Sequence, residues 1–294
     1  MRPLRKLRNF LRRGRSLPVV SSVDPDIMVG ANAVAATRQG LRWLLYNDRY
    51  LDQEILKWGF FEKETTEIFL KIIKPHMVVF DVGANFGYYT ALTAARLNNE
   101  GHVHAFEPTL NYRQRLLGNL VANRLESHVT VHPVALSNIN GEADIRIGNS
   151  SATMHPVGDY GSTEKIMLKK LDDFVVEEKI DRIDMIKVDI DGHEPLFIKG
   201  SLKTIARFRP GIVLEFNEQN LRQHGSSANA QRKLLEEMDY VLYSEKTGRP
   251  YTSVVDFEVE CADPCVSANV WCFPQEDPRA QLFQEVLALA ASWP

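Results

Sequence analysis

The stretch VVFDVGANFGYYTALTAA, residues 78–95, restricts the possible folds of this chain more than any other. It opens as an apolar run of the kind buried on both faces of a parallel sheet, breaks into a turn with glycines at 83 and 87, and resumes with helical character. A strand, a glycine-spaced turn and a helix in that order aim backbone N–H groups at a small anionic ligand. The dinucleotide version of this turn, G-x-G-x-x-G, keeps its middle position bare so that a pyrophosphate can approach. Here that position is Asn85.

The rhythm continues along the chain. HMVVFDVG, HVHAFEP, VTVHPVALSN, IDMIKVDIDG, PGIVLEFN and YVLYSE read as strands, with Pro133 making the third short or bulged. YTALTAARL, TLNYRQRLLGNLVAN, EPLFIKGSLKTIARF and AQRKLLEEM read as the helices between them. Such alternation predicts an α/β fold with a doubly wound, mostly parallel sheet. Upstream, LRWLLYND and EILKWGF read as two short strands or a strand and a turn, and EKETTEIFLKIIKP as a helix stopping before Pro75. GEADIRIG reads as half a hairpin, NSSATMHPVGDYGSTEK as a lid or substrate loop, NVWCFP as a last edge strand and PRAQLFQEVLALAASW as a C-terminal helix. The expected organisation is a basic arm (1–16), a lead-in and cap (17–76), a ligand-binding core (77–254) and a C-terminal strand and helix (255–294).

Ligands of doubly wound sheets bind beyond the C-terminal strand ends. That rule selects Asp81 to Gly87, Glu107, Ala135 to Ser137, Asp189 to Glu194, and Glu215 to Asn217. Glu107 stands twenty residues after Gly87, where a carboxylate suits two ribose hydroxyls. The pattern predicts a nucleoside with an anionic tail other than pyrophosphate. S-adenosylmethionine fits: adenosine for Glu107, its carboxylate for the helix N-terminus and its ammonium for Asp81.

Charge and cysteine use limit the alternatives. Residues 1–16 hold seven basic side chains and no acid, which leaves roughly −10 on the remainder against −3 for the whole chain. Leu4, Leu7, Phe10 and Leu11 fall at helical spacing, compatible with a helix on an anionic membrane surface, a transit peptide or a disordered arm. No stretch has the roughly 20 apolar residues of a membrane span, and no apolar segment of a secretory signal follows the arm. Cys261, Cys265 and Cys272 match neither a disulfide framework nor paired zinc motifs. A cytoplasmic protein, peripheral to the membrane if the arm touches lipid, is expected. The acidic remainder argues against nucleic acid as a partner.

The motifs DVGANFGYYT, FEP, VALSN, LDDF, IKVDIDGHE and IVLEFN occur in an order that resembles the FkbM-type methyltransferases, S-adenosylmethionine-dependent O-methyltransferases of the class I, Rossmann-like fold. The likeness spans roughly residues 40–245. It implies seven strands with the last antiparallel, and a carbohydrate or glycosylated natural product as methyl acceptor. By the same resemblance Asp81, Gly83, Asn85 and Gly87 line the methionine end, Glu107 followed by Pro108 the ribose, and the turn from Ala135 to Ser137 the adenine. The chain departs from the family at Asp191, where Glu is more frequent.

Methyl transfer to a hydroxyl needs in-line positioning and a base for the departing proton. KVDIDGHE supplies Lys187, Asp189, Asp191, His193 and Glu194; Asp189 at the strand mouth is the first candidate, then Glu194 or His193. A metal version would place Mg²⁺ on Asp189, Glu215 and Asn217. Two other readings compete. A NAD-dependent nucleotide-sugar dehydrogenase or epimerase should show a glycine at the Asn85 position and a Tyr-x-x-x-Lys helix, and the sequence has neither. A non-catalytic nucleoside-binding module would not need the acids of the fourth strand. Base methylation is disfavoured because DIDGHEP stands where such enzymes carry N/D-P-P-Y/F.

Overall fold

A computed structural model describes residues 33–36, 39–46, 48–98, 100–148, 152–154 and 162–290. The basic arm, with its membrane and targeting readings, lies outside these residues, as do 149–151 and 155–161 of the polar segment expected to form a lid.

An antiparallel pair, β1 (Ala33–Ala36) and β2 (Arg42–Leu45), and two helices, α1 (Tyr50–Trp58) and α2 (Lys63–Ile72), lead into the core. The first half of the core is β3 (Val78–Val82), α3 (Tyr88–Leu97), β4 (His102–Phe106), α4 (Leu110–Asn123) and β5 (Val129–His132). A small sheet follows, built from β6 (Ala135–Leu136), β7 (Gly141–Ile147), β8 (Ala152–Thr153) and β9 (Ser162–Lys169). The second half is α5 (Leu171–Glu177), β10 (Met185–Val188), α6 (Glu194–Lys199), α7 (Leu202–Phe208), β11 (Gly211–Asn217), α8 (Glu218–Gln223), α9 (Ala228–Glu236) and β12 (Tyr240–Ser244). α10 (Val254–Cys261), β13 (Ser267–Pro274) and α11 (Arg279–Ala290) complete the chain.

The central sheet has seven strands in the order β12-β13-β11-β10-β3-β4-β5. β3, β4, β5, β10 and β11 run parallel, while β13 is antiparallel to both of its neighbours. This is the doubly wound α/β sheet expected, with its last strand reversed. Alternation along each strand divides the core into two layers. Val79 and Met185 face a layer with Phe69, Leu92, Leu116 and Trp271; Phe80, Ile186 and Val188 face one with Phe106, Phe174, Phe197 and Phe257.

Several local readings are corrected. EILKWGF is helical: it forms most of α1, whose Asp52 and Ile55 are buried and whose end is set by Gly59 in a left-handed turn. NVWCFP is no edge strand, because β13 inserts between β11 and β12. VTVHPVALSN divides at Pro133 into β5 of the central sheet and β6 of the small one, since Pro has no N–H to continue a ladder. EPLFIKGSLKTIARF is two helices, broken around Gly200 and Ser201. The end of the polar segment belongs to β9, which pairs along the whole of β7. The LDDF acid Asp172 is structural: its carboxylate accepts the backbone N–H groups of Lys203 and Thr204 at 3.2 and 2.7 Å, capping α7. Cys261 and Cys272 are buried and Cys265 is exposed. Among the described residues, no helix is long and apolar enough to cross a membrane.

One buried ion pair fastens the lead-in to this core. Asp52 of α1 accepts from Arg115 of α4 at 2.5 Å and from the backbone N–H of Tyr46 at 2.7 Å. The Arg115 guanidinium lies 4.8 Å from the ring centres of Tyr46 and Phe86. Phe86 belongs to the glycine turn, so the lead-in packs directly against the wall of the site.

Candidate active site

The turn after β3 is held by the next strand. Gly83 and Ala84 both donate to the Phe106 carbonyl, at 3.1 and 3.0 Å, and Asn85 donates its backbone N–H to the Glu107 carboxylate at 2.9 Å. Gly83 has φ +83° and no room for a side chain, since a Cβ would collide with the Asp189 carbonyl. Gly87, at φ +88°, opens α3 without a side-chain cap, leaving the first N–H groups of the helix to other acceptors. Asn85 is also left-handed, at φ 51°, and its Oδ1 accepts the N–H of Phe86.

Glu107 is almost fully buried. One oxygen accepts the N–H and hydroxyl of Thr109 at 2.8 and 2.6 Å, the other the N–H of Asn85. Burial raises its pKa, and these donors work in the opposite direction. Glu107 and Pro108 border a cleft of about 600 Å³ that also meets Ala135, Leu136, Tyr112 and His193. Ile145 of β7 and Met154, the residue after β8, belong to its apolar lining. An apolar lining beside a buried carboxylate suits a nucleoside, base against the first and ribose against the second. The small sheet's part in this wall is not legible in the sequence: β7 reads only as half a hairpin, and the first half of β9 falls in the polar segment that reads as a loop.

A second cleft, of about 820 Å³, lies on the other side of the turn. Both clefts are lined by Gly83, Asn85, Asp189 and Asp191. Asp81 and Lys187 stand opposite one another in the β3–β10 register and line only the second cleft. Asp81 accepts the Thr90 hydroxyl at 2.5 Å; burial raises its pKa, with Lys187 and Thr90 opposing. Lys187 donates to Asp189 at 3.1 Å and lies 4.4 Å from the centre of the Tyr89 ring. Burial alone would lower its pKa, but Asp189, Glu62 and Asp81 together leave it raised. Glu62, absent from the sequence expectations, enters this cleft from the link before α2 and accepts the Tyr89 hydroxyl at 2.7 Å. Nothing in its local sequence marks it; its position follows from a left-handed backbone at φ 43°.

The remaining candidates divide. β10 ends at Val188, so Asp189, Asp191 and His193 occupy the turn beyond it. Burial and the neighbouring Asp189, Glu194 and Glu107 push the Asp191 carboxyl up to about 8. Glu194 lines neither cleft: its carboxylate turns back to accept the N–H groups of Ile190 and Gly192 at 2.9 and 3.3 Å, with burial pushing it up to about 7. His193 reaches the first cleft with its Nε2 2.9 Å from the Ser137 hydroxyl, whereas Ser137 itself stays behind that wall. Glu215 lines the second cleft, accepts the Ser267 hydroxyl at 2.5 Å, and has its pKa raised well above the usual range, first by burial and then by Asp189, Glu194 and Asp191. The alternative reading with Mg²⁺ on Asp189, Glu215 and Asn217 gains no support. The Asn217 carboxamide oxygen caps α8 by accepting the N–H of Asn220, and among the described residues no group of three His, Cys, Asp or Glu is placed to hold a metal ion.

Comparison with known proteins matches residues 81–242 to the Methyltransferase FkbM domain. The hexuronic acid methyltransferase AglP of Haloferax volcanii is 27% identical over 142 residues, which cover 47% of this chain and 56% of that protein. The AMB antimetabolite synthetase AmbE of Pseudomonas aeruginosa is 25% identical over 233 residues, covering 60% of this chain and 11% of its own. The chain thus spans little more than half of one curated relative and a small part of the other. The crystal structure of methyltransferase FkbM from Methylobacillus flagellatus KT aligns with a TM-score of 0.43 at 17% identity, covering 68% of this chain and 44% of that one.

Proposed function

Because the chain belongs to the FkbM methyltransferase family, we propose that it transfers a methyl group from S-adenosylmethionine to a hydroxyl of a carbohydrate or glycosylated natural product. The observation that carries this reading is the meeting of two clefts at one turn: the cleft beside Glu107 and the cleft beside Asp81 and Lys187 share Gly83, Asn85, Asp189 and Asp191. Group transfer needs the donor's reacting atom held where an acceptor can meet it, and a donor that reaches from Glu107 in the first cleft to Asp81 in the second passes this turn.

Residues fit the cofactor on chemical grounds. Glu107 offers a fixed carboxylate to the ribose, the small sheet apolar side chains to the base, Asp81 a buried acid to an ammonium, and the start of α3, which has no side-chain cap, backbone N–H groups to a carboxylate. Bound there, S-adenosylmethionine supplies an electrophilic methyl on a sulfonium. The chain's own work is orientation and proton handling. Asp189, common to both clefts and a third exposed, accepts the acceptor's hydroxyl proton while Lys187 holds it in place. Asp191 keeps its proton at neutral pH and serves as a donor beside it. Glu194 fixes the loop that carries both, and Ser137 fixes His193.

The hydroxyl and carbohydrate parts of the reading draw on the family resemblance, with AglP's name lending support to a sugar acceptor. Asn85 at the middle turn position speaks against a dinucleotide. If the basic arm of residues 1–16 meets anionic lipid, the acceptor is a membrane-borne glycan; co-sedimentation with anionic vesicles that is unchanged on deleting the arm would reject that extension. The central test is calorimetric titration with S-adenosylhomocysteine and with NAD⁺, followed by methyl-transfer assays on a carbohydrate panel. Micromolar binding of the first and none of NAD⁺ is expected; binding of NAD⁺ alone would overturn the proposal.

A further inference from the structure

Thr109 is the N-cap residue of α4, yet its side chain does not cap the helix. At that position a threonine oxygen ordinarily accepts a backbone N–H from the first turn. Here the hydroxyl is donated to the Glu107 carboxylate at 2.6 Å, beside the Thr109 N–H on the same oxygen at 2.8 Å. The first turn of α4 holds no acid of its own either. The cap comes from the small sheet. Glu164 of β9, 54 residues away in the chain, accepts the Leu110 N–H with both carboxylate oxygens, at 3.2 and 3.1 Å.

Other contacts bind the same corner. Arg113, one turn into α4, donates to the carbonyls of Glu107, Pro108 and Thr109 at 3.0, 2.8 and 3.1 Å, and its guanidinium is attracted by both Glu107 and Glu164. The Tyr112 hydroxyl donates at 3.0 Å to the carbonyl of Gly148, just beyond β7. Glu164 stands opposite Ile145 in the antiparallel β7–β9 register, so their side chains share one face of the small sheet. Ile145 lines the cleft beside Glu107, while Glu164 holds the helix that follows Glu107.

We infer that Glu164 is a positioning residue for ribose recognition: by satisfying the start of α4 it leaves the Thr109 hydroxyl free to fix Glu107, which couples the small sheet to that carboxylate. Without Glu164, the helix start regains its demand for an acceptor and a negative charge. The Thr109 side chain then turns to meet that demand, and Glu107 loses a donor. The inference rests on the reading of Glu107 as the ribose contact of S-adenosylmethionine.

The test reads the ribose contact within each variant. S-adenosylhomocysteine and its 2′-deoxy and 3′-deoxy analogues are titrated calorimetrically into the full chain. In the native sequence the costlier of the two deletions should weaken binding by about tenfold or more. Glu164→Ala should shrink that penalty to within about threefold. Thr109→Val, which removes the hydroxyl and keeps the backbone N–H, should do the same, and the double variant should lose no more than either alone. Glu164→Gln keeps an acceptor oxygen for the Leu110 N–H and should retain the native penalty. A Glu164→Ala chain that is less stable yet keeps the full penalty makes Glu164 a helix cap alone; that result, or an unchanged penalty in Thr109→Val, overturns the inference and leaves the methyltransferase reading intact. Equal binding of all three ligands to the native chain removes Glu107 from the ribose and the inference with it. Failure of S-adenosylhomocysteine to bind removes both readings.

Discussion

The carboxylate of Glu107 accepts the backbone N–H of Asn85 at 2.9 Å, joining the end of β4 to the turn after β3. With Thr109 on its other oxygen, the group is fixed before any ligand arrives. Glu107→Ala should weaken S-adenosylhomocysteine binding by at least about tenfold and lower stability by about 1–3 kcal/mol, because buried N–H groups lose their acceptor. Calorimetry and chemical denaturation read the two effects separately. An unchanged affinity would remove Glu107 from the ribose role.

Gly83 and Gly87 both have positive φ, but their surroundings differ. A side chain at 83 meets the Asp189 backbone, whereas one at 87 first meets the Leu116 side chain, 2.8 Å from its Cγ. Gly83→Ala should therefore be the costlier, at about 3 kcal/mol or more against about 1–2 for Gly87→Ala, since its overlap is with backbone and is deeper. Urea unfolding of both variants checks the order. Only the Gly83 change should also displace Asp189 and depress methyl transfer beyond its effect on stability.

Glu245 gives a pH signature away from the clefts. It accepts the Thr65 hydroxyl and the Trp271 indole N–H, each at 2.7 Å, and burial, with Trp271 and Thr65 opposing it, pushes its pKa up from 4.5 to about 7. The folded chain thus binds this proton more tightly than the unfolded chain. Its stabilising contribution is complete below about 4.5 and is lost as pH rises to about 7. Tryptophan emission should titrate with a midpoint near 7. Glu245→Gln should abolish that step and flatten the fall in stability between about pH 5 and 8. A step that persists in the variant would assign it to another group.

The parts of the fold that were legible in the sequence are those where one physical demand dominates. VVFDV is buried on both faces, so every position is apolar until Asp81, and the glycines beyond it answer a backbone requirement that no other residue meets as cheaply. EILKWGF misleads because its apolar residues are bulky and close together, while the contact that anchors its helix to the core, Asp52 to Arg115, joins residues 63 apart in the chain. β9 was hidden for the opposite reason: only Ile166 and Leu168 of its eight residues are buried, too few to announce a strand. Glu62 illustrates the general limit. Its place in the site depends on a single left-handed residue and on where α2 packs, and neither leaves a periodic trace.

Asp189 and Lys187 allow the proton step to be tested apart from cofactor binding. The ion pair spans 3.1 Å across the mouth of β10, with Asp81 beside Lys187 in register. Asp189→Asn preserves shape and removes the proton acceptor, so methyl transfer should fall by about 10²–10⁴-fold while S-adenosylhomocysteine affinity changes by less than about fivefold. Lys187→Met acts differently: it leaves Asp81, Asp189 and Glu62 without their shared cation, and should cost about 3–5 kcal/mol in stability as well as activity. Single-turnover rates, affinities and unfolding curves on both variants separate these outcomes. If Asp189→Asn instead lost affinity and rate in equal measure, its carboxylate would be a cofactor ligand rather than the acceptor of the hydroxyl proton.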